Sequence, residues 1–126
     1  MAARQRPARE LHAAGLKARQ ARVPLIEALL KQKKANETHL DDANFQIADS
    51  FELLAISELQ LGDPASALEH FVASEKGFAA LKANDLEVRR RRAEAQLRLG
   101  DVRFALRQFD DAEKSYHAAL PRARRS

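Results

Sequence analysis

From Phe45 onward the apolar residues return every three or four positions, and at about 100° of helix turn per residue this spacing gathers them on one side of an α-helix. Phe45, Ala48, Phe51, Leu54, Ala55, Leu59 and Leu61 form one such stripe, and Ala67, Leu68, Phe71, Phe78 and Leu81 form another. No stretch of useful length alternates with period two. Composition agrees: 25 Ala and 17 Leu make one third of the 126 residues, while Val, Ile and Thr together number eight, which excludes an ordinary sheet. The expected fold class is all-α, a single domain of antiparallel helical hairpins whose contacts are thin and lined by Ala.

Turn chemistry divides the chain. Gly62-Asp63-Pro64 ends the first stripe: Gly suits the left-handed position after a helix, Asp caps the next one, and Pro fits a first turn that needs no donor. Asn84-Asp85 repeats the stop-and-cap logic before a helix starting at Leu86, whose stripe of Leu86, Ala93, Leu97, Gly100 and Phe104 runs to about residue 106. Asp110 is placed to cap a last helix with Ala112, Tyr116, Ala119 and Leu120 inward. Residues 8 to 36 read as an N-terminal helix that Pro24 kinks or restarts, with a break near 36 to 40 where Asn36 and Thr38 supply cap chemistry. The units are thus 8–36, a cap or degenerate repeat, and two hairpins, 41–83 and 86–123.

The hairpins are related, and two registers compete. At an offset of 38, Leu59, Leu61, Gly62, Asp63, Ala67, Leu68 and Phe71 recur, and Gly100-Asp101 becomes a second turn. At an offset of 45, Leu54, Ala55, Ala67 and Phe71 align with Leu99, Gly100, Ala112 and Tyr116. Leu99, Gly100, Phe109, Ala112, Tyr116 and Ala119 resemble the signature of the tetratricopeptide repeat, with Phe51 at the tryptophan-like position of the first unit. The second register is the expected one: small residues let antiparallel backbones approach, and aromatics fill the space beside them. Gln96 and Pro64 stand where that family has aromatics, and a period near 45 is longer than its usual 34.

The resemblance implies a short right-handed solenoid and a non-catalytic module that binds a peptide or helix of a partner protein on its concave face. By resemblance the lining is Asp49, Glu52, Ile56, Leu59 and Gln60, then Glu94, Leu97, Asp101, Phe104 and Ala105. Acids rather than Lys and Asn rim this apolar floor, which disfavours a carboxylate clamp and favours a basic or amphipathic peptide. The residues themselves offer no route to an enzyme or a cofactor. There is no Cys, no glycine-rich phosphate loop and no metalloprotease motif, and His12, His39, His70 and His117 are scattered one per segment. Asp41-Asp42 and Asp110-Asp111 are read as helix-start carboxylates.

The net charge of +4 is a sum of +7 over residues 1–36, −9 over 37–88 and +6 over 89–126. This distribution permits head-to-tail stacking or an antiparallel dimer whose mass falls with added salt, since solenoids of fewer than about three repeats need partners. Arg89, Arg90, Arg91 and Arg92 cannot share one helix face, so at least one lies along a groove or pairs with Asp85, Glu87 or Glu94. With Arg4, Arg6, Arg9, Lys31, Lys33 and Lys34 the run could form a basic patch, and a nucleic-acid partner is the competing expectation. No apolar run is long enough for a bilayer and the start lacks a hydrophobic signal core, so the expected location is the cytoplasm.

Overall fold

The computed structural model describes residues 2–33 and 37–120, with the side chains of 7–28 and 40–120. The described residues form five α-helices and no strand: α1 Ala2–Lys33, α2 Glu37–Gln60, α3 Pro64–Ala79, α4 Leu86–Ala105 and α5 Phe109–Ala119. Each helix packs against the next in chain order, so α1 and α5 are the two ends of the stack. The all-α expectation is met.

The α2–α3 turn follows the sequence reading. Gly62 has φ +79°, the Asp63 N–H donates to the Glu58 carbonyl at 2.9 Å, and the Asp63 carboxylate accepts from the Ser66 N–H at 3.2 Å, with Pro64 opening α3. The α4–α5 turn has the same construction 45 residues on. Arg107 takes the left-handed position at φ +63°, and the Gln108 N–H donates to the Arg103 carbonyl at 2.8 Å. Helix ends obey the same offset, Gln60 matching Ala105 and Pro64 matching Phe109. So do buried positions: Ala43 and Val88, Ser50 and Ala95, Leu54 and Leu99, Ala55 and Gly100, Ser57 and Val102, Ala67 and Ala112, Ser74 and Ala119. Gly100 lies inside α4, and the second turn that the 38-residue register required at Gly100-Asp101 does not form.

The small residues work by proximity. A Cβ on Gly100 would sit 2.5–2.9 Å from ring atoms of Tyr116, and one on Gly77 would sit 2.9 Å from the Ala48 Cβ. Ala55, Ala67, Phe71, Leu99 and Val102 fill one core cluster across α2, α3 and α4; Ala48, Phe78 and Ala95 fill a second, flanked by Phe45 and Leu81.

Several expectations are corrected. Pro24 does not restart α1, which runs unbroken past both Pro7 and Pro24. Thr38 falls inside α2 and therefore marks no break, while Asn36 lies outside the described residues. Asp41 and Asp42 fall inside α2, and the Asp41 carboxylate accepts instead from the backbone N–H groups of Lys82 (3.1 Å) and Ala83 (2.8 Å), tying down the loop after α3. Asp110 and Asp111 sit in the first turn of α5, whose N-cap is Gln108. The α4 stripe holds only in part: Gly100 is buried and Ala93 half-buried, but Leu86, Leu97 and Phe104 face outward, and Val88, Ala95, Leu99 and Val102 are buried in their place. Leu120 is likewise 43% exposed.

α1 docks on α2 by polar contacts. Arg9 reaches the buried Glu58 at 3.1 Å, the His12 ring lies 3.1 Å from the Ser57 hydroxyl, and Arg19 bonds to Ser50, with Leu16 buried between them. His70 of α3 meets the other Glu58 oxygen at 2.6 Å. A fully buried carboxylate is costly unless ion-paired and hydrogen-bonded, so Glu58 dictates what α1 and α3 must bring to it.

Candidate functional site

The expected lining residues divide into two groups. On α2 the acids are already engaged. Arg91 of α4 places its Nη2 on Asp49 and, at 2.9 Å, on Glu52 Oε1, with Glu94 Oε1 3.7 Å from its Nε. Arg98 lies 3.3 Å from the second Glu52 oxygen. Glu52 is buried, and Ile56 packs against the first core cluster, so neither is a free surface group. Only Leu59 and Gln60 of the α2 set are exposed.

On α4 the expected residues do come together. Arg90, Glu94, Leu97, Asp101 and Phe104 follow one another by three or four residues and are all exposed, Leu97 by 48% and Phe104 by 58%. Ala105 closes the helix, exposed as well. Phe104 packs edge-on against Phe109 of α5, ring centres 5.2 Å apart, so the aromatic pair is held across the α4–α5 turn. The Tyr116 hydroxyl donates to Asp101 Oδ1 at 2.6 Å, and this bond to the carboxylate raises the phenol above its ordinary range. Asp101 is thereby held at the edge of the stripe. Arg90 pairs with Glu87 at 2.6 Å.

The role of Arg91 was not legible in the sequence beyond its pairing with a nearby acid. Its guanidinium lies over the rings of Phe45 and Phe78, 5.3 and 4.8 Å from their centres, and these two rings meet edge to face. Burial pushes its pKa down, but the hydrogen bond it donates to Asp49 and the charges of Glu52 and Asp49 prevail and raise it above the ordinary arginine value. The available signal was the 45-residue offset: it makes Glu94 the equivalent of Asp49 and puts Arg91, 42 residues after Asp49, three residues before that position, less than one helix turn away. Glu58 was also missed. A signal for α1 docking lay in the matched seven-residue spacings of His12 with Arg19 and Ser50 with Ser57.

Of the proposed basic patch, the side chains of Arg4, Arg6, Lys31 and Lys33, and all of Lys34, lie outside the described residues, as does the His39 side chain. Among the described residues Arg9, Arg90 and Arg91 are committed to acids. No group of three His, Cys, Asp or Glu side chains among the described residues could hold a metal ion, and no described helix is long and apolar enough to cross a membrane.

Compared with protein-family models, with curated proteins and with solved structures, the chain gives no match in any of the three.

Proposed function

We propose that this chain is a tetratricopeptide-like helical-repeat module that acts without catalysis, holding an amphipathic helix or peptide of a partner protein against the outward stripe of α4. One observation carries the reading. Leu97 and Phe104 stand exposed one above the other, while the opposite side of the same helix is buried, so α4 keeps large apolar surface in water even though Phe104 rests edge-on against Phe109. The 45-residue recurrence of turns and buried positions supports the repeat relationship, and α2 and α4 are then equivalent first helices.

The partner's chemistry follows from the same stripe. Glu94 and Asp101 flank the apolar pair and are exposed, Glu94 3.7 Å from Arg91 and Asp101 accepting from Tyr116, whereas Asp49 and Glu52 are held more closely by Arg91. The acids beside the apolar pair are thus those of α4, and a helix with Leu-sized anchors and Lys or Arg beside them complements them.

Fluorescence anisotropy with labelled amphipathic helical peptides, one set basic and one acidic beside the same apolar anchors, tests the proposal. Basic peptides should bind more tightly, and Leu97→Ala with Phe104→Ala should weaken binding at least tenfold, since each truncation removes roughly 1.5–3 kcal/mol of burial. Unchanged helicity by circular dichroism confirms that the fold survives. Equal binding by the double variant, or no preference for basic peptides, would defeat the proposal. Retention of RNA or DNA with a steep salt slope would favour a nucleic-acid partner instead.

A further inference from the structure

The two ends of the stack differ. At the α5 end the outward residues Asp110, Asp111, Glu113, Lys114 and His117 are polar, with Phe109 and Leu120 exposed at the two ends of the helix. At the α1 end the outward face is apolar. Leu11, Ala14, Ala18, Ala21, Leu25 and Ala28 are spaced three, four, three, four, three and are all exposed, Leu11 by 72% and Leu25 by 67%. This is the spacing of positions a and d in a helix–helix seam, and it lies opposite the Arg9, His12, Leu16 and Arg19 face that docks on α2.

We infer that α1 pairs antiparallel with α1 of a second copy of this chain, closing the open end of the stack as a symmetric head-to-head dimer. Three arguments select this occupant. The α5 face exposes Phe109 and Leu120 only at its two ends, with Asp110, Glu113 and His117 between them, so it offers an α1 face no continuous apolar seam and head-to-tail growth lacks a complementary end. A two-fold axis midway between Arg19 and Gln20 sets Leu11 against the partner's Ala28, Leu25 against the partner's Ala14, and Ala18 against the partner's Ala21. Every leucine then meets an alanine, whereas a parallel pair would set leucine on leucine at both ends with an alanine gap between.

Charge gives the same answer. In a parallel pair Lys17 at position g would face the partner's Arg22 at position e, a like-charge contact on each side. The antiparallel pair brings Lys17 beside the partner's Pro24 and Arg22 beside the partner's Gly15, both uncharged. Area sets the strength: the seam from Leu11 to Ala28 spans about 27 Å, and a contact strip about 10–12 Å wide covers roughly 600 Å² over both copies. That is the size of a weak, transient contact, so the dimer should be reversible and form only toward the high-micromolar range.

Sedimentation equilibrium of the full chain tests this. Mass should rise from 14.1 kDa toward twice that value with concentration, and it should not fall with added salt, because the seam is apolar. Leu11→Lys with Leu25→Lys should return the chain to monomer with helicity unchanged, while Leu97→Lys on the α4 face should leave the dimer intact. The chain has no cysteine, so Glu10→Cys gives a single spin-label site. The antiparallel pair places the two labels about 30 Å apart along the seam, and a parallel pair about 10 Å. A monomer at every concentration, a dimer that survives both lysines, a dimer dissolved by salt, or a short label distance would each overturn the inference. Loss of peptide binding in Leu97→Lys with the dimer retained would separate the two surfaces.

Discussion

Replacing Arg91 by Met tests the account of how α2, α3 and α4 are held together. The arginine side chain is 15% exposed and lies between Asp49, Glu52 and Glu94 on one side and the Phe45 and Phe78 rings on the other. Met keeps much of the apolar contact and loses the charge. Removing one member of a buried pair costs about 3–5 kcal/mol when the other is stranded. Here the cost is reduced, because Arg98 stays 3.3 Å from Glu52 and Asp49, 37% exposed, can be rehydrated. Loss of the cation–ring contacts adds about 0.5–2 kcal/mol. The expected destabilisation is about 2–4 kcal/mol, a large share of the roughly 5–15 kcal/mol available to a domain.

Urea denaturation followed at 222 nm measures it, with Arg89→Met as the reference. Arg89 is exposed with no partner among the described residues, and its replacement should stay within about 0.5 kcal/mol. Glu52→Gln should relieve part of the Arg91→Met penalty, because the stranded charge is then gone, and the double-mutant cycle should give a coupling of about 1–3 kcal/mol. A loss below about 1 kcal/mol, or no coupling to Glu52, would refute the view that Arg91 joins the repeats and would return it to the surface with its neighbours.

Three further outcomes follow from local geometry. Gly100→Ala should destabilise by about 1–2 kcal/mol by thermal melting despite a helix-propensity gain of about 1 kcal/mol, because the new methyl meets the Tyr116 ring; stabilisation would mean that the contact is not close. Arg107→Gly should stabilise by about 1 kcal/mol in the same assay, since a non-glycine residue is held at φ +63°, and a loss would show that the Arg side chain contributes more than its backbone costs. The Asp63 carboxyl is lowered from its ordinary 3.8, chiefly by its hydrogen bonds with Ser66. Its folded pKa lies below its unfolded value, so the cap's contribution is present above about pH 4 and is lost as pH falls through the folded value. Asp63→Asn should therefore flatten the acid limb of a melting-temperature profile, and an unchanged limb would remove Asp63 from it.

Much of the hairpin architecture was legible because it depends on local chemistry. Gly62, Asp63, Pro64 and Asp85 act through their own backbone and nearest turn, and each sits where its residue type directs. Gly100 was readable for a different reason: two registers gave it opposite roles, and only the one that placed it inside a helix explained the Ala and aromatic spacing around it. The inward face of α4 was harder. Leu86, Leu97 and Phe104 stand outside, while the core takes the smaller Val88, Ala95 and Val102 together with Leu99, with Ala95, Leu99 and Val102 packed among Ala48, Ala55, Phe71 and Phe78 of α2 and α3, and no count of apolar bulk along α4 reports that choice. The acidic rim failed for a related reason. Charge partners 42 and 39 residues apart are fixed by tertiary packing, which helical spacing does not report.

The placement of the arginines links these results to function. A chain with basic segments on either side of an acidic one could direct its charge toward a partner or toward itself, and Arg9, Arg91 and Arg98 direct it inward, onto Glu58, Asp49 and Glu52. Charge remains outward along every helix, but beside the two apolar surfaces it differs: Glu94 and Asp101 stand next to Leu97 and Phe104 on α4, whereas the Leu–Ala seam on α1 is itself uncharged. The two surfaces therefore respond differently to salt. Peptide binding at α4 should weaken as ionic strength rises, since exposed charges are screened within about 8–10 Å near physiological salt, while pairing through α1 should hold. Measuring both in one salt series separates them, and a common response would mean that one surface carries both activities.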